Sequence, residues 1–156
     1  MELLPNAMSF RVITTLDIAD ESEVPDGFSG RVRLHANGRM MYQAWYHEGL
    51  LDNPARSEPA FRRFRESGAV RYELWYSQGA LHDPDGRRPA VRGYFADGSV
   101  HYEERFNRGR RHDGRDGTAA IRKFRKDGTL RHELHYHHGG RVDGALGTTA
   151  TSSPRP

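Results

Sequence analysis

The run His132-Glu133-Leu134-His135-Tyr136-His137-His138 concentrates the residue types best suited to chemistry. On an extended strand Glu133, His135 and His137 would share one face at steps of about 7 Å, a three-ligand arrangement suited to zinc. The spacing is not that of a helix-borne zinc protease, because the second histidine comes one residue too early. His132 and His135 also occupy slots that hold Tyr and Trp at thirty-residue offsets, so drift of a repeated pattern accounts for them without a metal. A second feature is the dipeptide His82-Asp83, repeated as His112-Asp113. On helices this dipeptide serves metal-dependent phosphohydrolases, but here proline and glycine adjoin it. An Asx turn, with the histidine covering the previous hairpin, explains it without catalysis.

Two further constellations point to binding. Tyr42, Tyr72 and Tyr102 recur beside Arg62, Arg92 and Arg122, and stacking of guanidinium on aromatic rings across a hairpin is worth roughly 0.5 to 2 kcal/mol. Arg108, Arg110, Arg111 and Arg115, with Arg122, Lys123, Arg125, Lys126 and Arg131, form a basic run interleaved with Phe106, Phe124 and Tyr136. Such a mixture resembles a phosphate-tracking surface. Acidic residues from Glu103 to Glu133 thread through it and weaken its field, so nucleic acid is not the expected partner. No nucleophile recurs beside a base, and no glycine-rich phosphate loop joins a strand to a helix. The chain is therefore read as non-catalytic, with no metal and no cofactor.

What must position these residues is a unit written four times. Glycines at 38, 68, 98 and 128 are thirty residues apart, as are those at 49, 79, 109 and 139. Each unit contains a hairpin whose turn, such as Glu66-Ser67-Gly68, has the composition of a three-residue loop with a left-handed last position. That loop sets a register in which Phe64 faces Val70, Arg62 faces Tyr72 and Ala60 faces Leu74. Even positions of the second strand, Tyr72, Leu74 and Tyr76 among them, then make the apolar face. Phe61 and Phe64 cannot share a face in a regular strand, so either both faces are partly covered or a bulge switches parity. Turn-rich linkers follow each hairpin, and the next strand begins near Pro59, Pro89 and Ala119.

The expected fold is all-β, an elongated single-layer antiparallel sheet of consecutive β-hairpin repeats spanning 31–144. A strand over 9–16 and an acidic turn, within 8–30, cap the first open edge. Residues 1–7 and the tail at 145–156 are expected to be disordered. With 156 residues there is room for one domain, and with no cysteine the fold needs neither disulfide nor thiolate metal site. Residues 1–58 carry five basic and nine acidic side chains, and residues 59–156 nineteen and twelve, so the later units are the basic end. No apolar run reaches the roughly 18 to 20 residues of a membrane span, and membrane-surface contact has no lysine cluster to support it. A cytoplasmic setting is expected.

The motif Tyr72-Glu73-Leu74-Trp75-Tyr76, then Gly79-Ala80-Leu81-His82-Asp83, then a strand ending in Asp97-Gly98, resembles MORN-type repeats, in the longer variant of bacterial and viral proteins. The likeness covers roughly residues 30–144. It implies an array of hairpins used for protein association, dimerisation or lipid contact, and some bacterial relatives carry an antitoxin label. The expected function is a scaffold that binds a protein partner or a second copy of itself. Its surface is expected at Arg62, Tyr72, Trp75, Tyr76, Arg92, Tyr102 and Phe106, because aromatic and arginine side chains dominate interface energetics. An antitoxin or immunity-like factor is the alternative, and a basic nucleic-acid-binding module the third reading.

Overall fold

The structure, a computed structural model, describes residues 14–142. The expected disordered ends, and most of the 9–16 strand, lie outside the described residues. What is described is all-β apart from one 3-10 turn at Glu21–Glu23. Four long hairpins build the main sheet: β2 (Gly30–Ala36) with β3 (Arg39–His47), β5 (Phe61–Phe64) with β6 (Val70–Leu74), β9 (Val91–Tyr94) with β10 (Val100–Glu104), and β13 (Ile121–Phe124) with β14 (Leu130–His137). Each pairs antiparallel with the next, through β3 with β5, β6 with β9 and β10 with β13. β1 (Thr15–Ile18) lies parallel to β2, so the sheet is mixed where a wholly antiparallel one was expected.

A short hairpin follows each long one. β4 (Leu50–Leu51) folds onto the end of β3, β7 (Tyr76–Ser77) pairs with β8 (Ala80–Leu81), β11 (Phe106–Asn107) with β12 (Arg110–Arg111), and the end of β14 with β15 (Gly140–Val142). The middle two are sheets of their own, so a single layer does not describe the arrangement. Their turns are Glu48-Gly49, Gln78-Gly79, Arg108-Gly109 and His138-Gly139, with both residues at positive φ. That is the type I′ geometry whose twist suits a two-residue loop between antiparallel strands. Each later turn docks on the preceding short hairpin: the N–H of Gly79, Gly109 and Gly139 donates to the carbonyl of Leu51, Leu81 and Arg111.

The long-hairpin turns follow expectation in three cases, with Gly68, Gly98 and Gly128 left-handed at the end of three-residue loops. The first differs, because Asn37 and Gly38 are both left-handed and Ala36 pairs directly with Arg39. Beyond each turn one residue is left out of the pairing: Met41, Arg71, His101 and Arg131, thirty apart. These bulges correct the expected register. Phe64 does face Val70, but Arg62 faces Glu73 rather than Tyr72, and Phe61 faces Leu74. Phe61, Val91 and Ile121 thereby join the face of Tyr72 and Leu74, which resolves the parity conflict in the sequence.

The best-packed part of that face is at the first hairpin. Ile18, Val32, Tyr42 and Ala44 are buried there, and Val24 and Phe28 from the segment before β2 close over them. Further along, Gly93 is buried beneath Tyr102, and an added methyl would fall inside the tyrosine ring. Gly93→Ala should therefore dislodge Tyr102 and destabilise the protein by about 1 to 3 kcal/mol. Urea denaturation tests this; an unchanged midpoint would mean that the ring is not seated on the backbone.

Candidate functional site

The bulges divide the expected binding surface between two sheet faces. Tyr72 and Tyr102 lie on the apolar face, half-buried, with Tyr76 and Phe106 on the adjoining short hairpins. Arg62 and Arg92 lie on the opposite face, because each stands one register step from its tyrosine. The expected stacks of Arg62 on Tyr72, Arg92 on Tyr102 and Arg122 on His132 are therefore not formed across the hairpins. Trp75, at 4% exposure, is buried and presents no surface. The basic run is dispersed as well, with Arg111 paired to Glu104 at 2.9 Å and Arg122 near Glu103 at 3.7 Å.

On the apolar face, rings stack from hairpin to hairpin. Tyr42 and Phe61 have centroids 5.0 Å apart, and Phe61 and Tyr72 6.0 Å. Where the segment before β2 stops covering this face, a cleft of about 430 Å³ opens, floored by Tyr42, Tyr46, Leu51 and Phe61 with Glu21 and Asp26 at its rim. Burial, reinforced by the charge of Glu21, pushes the Tyr42 hydroxyl up to about 12, so it stays protonated as a donor.

The opposite face carries a row of alternating charge. Reading across the sheet, Asp17, Arg33, Gln43, Arg62, Glu73, Arg92, Glu103, Arg122 and Glu133 are successive cross-strand partners. Ion pairs close at 2.8 Å for Arg33 with Asp17 and 2.7 Å for both Arg62 with Glu73 and Arg92 with Glu103. Glu73 also accepts a hydrogen bond from the Tyr94 hydroxyl at 2.6 Å. Burial and that carboxylate together push Tyr94 up to about 12. These arginines are therefore committed to carboxylates within the sheet.

Along the next row the same face holds Trp45, Trp75, Arg105 and His135, and here the His-Asp dipeptides find their role. The Asp83 Oδ1 accepts the N–H of Ala90 at 2.8 Å and of Phe106 at 3.0 Å, while its Oδ2 takes Arg105 at 3.1 Å. Asn53 makes the equivalent bonds to Ala60 and Tyr76, and Asp113 to Ala120 and Tyr136. These carboxylates thus clamp successive segments together instead of closing a local Asx turn. His82 likewise meets the following hairpin, not the previous one, where its Nδ1 accepts the Arg108 N–H at 3.2 Å. The side chain that precedes each clamped N–H differs: Trp75 precedes Tyr76 at Asn53, Arg105 pairs with Asp83, and His135 lies 2.6 Å from Asp113.

The ligand set expected from Glu133, His135 and His137 is not assembled, since Glu133 faces Arg122 and His135 is engaged by Asp113. The structure instead brings His112 to His137 and His138, with ring centroids 4.9 and 5.1 Å away. Sequence spacing concealed this group because His112 comes from the preceding segment.

The paired exchange of clamp and partner is testable. Asp83→Asn should cost about 3 kcal/mol by leaving the 5%-exposed Arg105 without its counter-charge. Adding Arg105→Trp should recover much of that loss by removing the unpaired buried cation, as in the preceding segment, where Asn53 goes with a buried Trp75, and a double-mutant cycle would show no coupling if the clamps ignored charge. Acid separates the two clamps further. Burial raises the Asp83 carboxyl above its ordinary range, against the pull of the Phe106 N–H and Arg105. At Asp113 burial is outweighed by the Tyr136 N–H, His135 and the Ala120 N–H, and its carboxyl is held low. A depressed folded-state value gives stability above the unfolded carboxylate range that is lost as pH falls through the folded value; a raised one gives the reverse. As pH falls below about 4, amide protection corrected for the intrinsic exchange rate should drop at Tyr136 and Ala120 while Phe106 and Ala90 keep theirs, and the opposite pattern would contradict this assignment. No family model, curated protein or solved structure matches this chain.

Proposed function

We propose that the protein is a non-catalytic repeat scaffold, of the MORN type that its sequence resembles, which associates with a protein chain or a second copy of itself through the aromatic face of its second and third segments. The observation that supports this most is the unequal covering of that face. Val24 and Phe28 pack over the first hairpin, whereas Phe61, Tyr72, Leu74 and Tyr102 continue the same apolar surface half-exposed. The cleft at the boundary offers an aromatic floor beneath an acidic rim, a seat for an aliphatic or aromatic anchor flanked by a basic residue. Arg62 and Arg92, being paired across the opposite face, support the fold and leave recognition to the tyrosines.

Sedimentation of the purified chain at rising concentration, alone and with host extract, tests this reading. A species heavier than the monomer is expected, and Tyr72→Asp should weaken its formation by at least about tenfold, as loss of an interface aromatic does. Lys126→Ala, at the exposed turn of the last long hairpin, should leave it unchanged. A compact monomer at all concentrations that captures nothing would refute the proposal.

A further inference from the structure

We propose that His112, His137 and His138 form a binding site for one divalent cation of the zinc class. The type I′ turn at His138-Gly139 presents two adjacent imidazoles, and the stretch after β12 places His112 against both. One nitrogen from each ring lies within 4.8 Å of the others. The third residue is oriented for the task. The His112 Nδ1 is 2.8 Å from the carbonyl oxygen of Asp113, which only accepts hydrogen bonds, so Nδ1 carries the proton and Nε2 presents its lone pair. A backbone carbonyl holding the far nitrogen is the usual support of a metal-binding histidine.

The equivalent junction one segment earlier brings together His82, Asn107 and Arg108, where the imidazole is occupied by a backbone N–H. Only the last junction has histidine at all three positions. Three neutral imidazoles without a carboxylate favour zinc, nickel or copper over magnesium and calcium, which take oxygen ligands. Tetrahedral zinc with bonds of about 2.0 Å brings its ligand nitrogens to roughly 3.3 Å apart, so the rings need close by no more than about 1.5 Å. His137 and His138 are exposed and can swing inward. Water fills the fourth position. The cation then fastens the last short hairpin to the segment before it.

Calorimetric titration of the full chain with zinc chloride is the test. One equivalent should bind with micromolar or tighter affinity, magnesium chloride should give no heat, and His137→Ala, His138→Ala and His112→Ala should each weaken zinc binding by at least about tenfold. His47→Ala, on the first short hairpin, should not. Zinc should also slow amide exchange across β14 and β15. Absence of a one-to-one event, or three histidine variants that bind zinc as the parent does, would overturn the assignment; the two exposed turn variants keep the test valid should His112→Ala unfold.

Discussion

The fold depends on a single side-chain oxygen at each junction. Where the second, third and fourth long hairpins give way to their short ones, the N–H groups just before each hairpin's first strand and at Tyr76, Phe106 and Tyr136 need an acceptor away from water. The Oδ1 of Asn53, Asp83 or Asp113 supplies it for both at once. The backbone N–H of the same residue donates to the carbonyl of Tyr76, Phe106 or Tyr136. One residue therefore ties a linker, a strand and a hairpin together. Without it two backbone donors would lose their partner, at roughly 1 to 3 kcal/mol each when buried. Stacking of the short hairpins and continuity of the long ones are both consequences of this contact.

A carboxylate in that position creates its own demand, and the chain meets it differently at each junction. Asn53 brings no charge, and the residue before its clamped Tyr76 N–H is the buried Trp75. Asp83 is screened from water and holds the buried Arg105, which also donates to the carbonyl of Arg87. Asp113 is more exposed and binds a histidine. The replacement of tryptophan by arginine and then histidine looks like decay of a pattern when the residues are read alone. At the Asp83 clamp it is compensation, since Arg105 stands next to a carboxylate, and at the Asp113 clamp His135 supplies a hydrogen-bond donor to the free oxygen.

The thirty-residue spacing, the turn glycines and the all-β class were legible in the sequence because they rest on local backbone demands. A bulge was one of two readings of the Phe61 and Phe64 conflict, but its place at Arg71, His101 and Arg131 was not legible, because a side chain omitted from pairing carries no fixed residue type. That one-residue slip moved Arg62 and Arg92 to the face opposite Tyr72 and Tyr102 and exchanged an expected cation–aromatic stack for an ion-pair row. Trp75 was legible as a recurrent aromatic but not as a buried one, since the linkers that enclose its row carry no apolar signal of their own. The histidine group was partly visible: its turn members stood out, while His112 was hidden behind its partnership with Asp113.

The charge row constrains how copies of the chain meet. Among the described residues it begins at Asp17 and ends at Glu133, both acidic and both exposed. Placing the last strand of one copy beside the first strand of another would set these carboxylates together, where like charges directly opposite are destabilising. Edge-to-edge stacking would also break the pattern of opposite charges that pairs Arg33 with Asp17, Arg62 with Glu73 and Arg92 with Glu103. A strand joining β14 needs an arginine opposite Glu133, as Arg62 and Arg92 stand opposite Glu73 and Glu103. Among the described residues, the two ends of the row therefore carry like charge, whereas the aromatic face lies on the side of the sheet away from it.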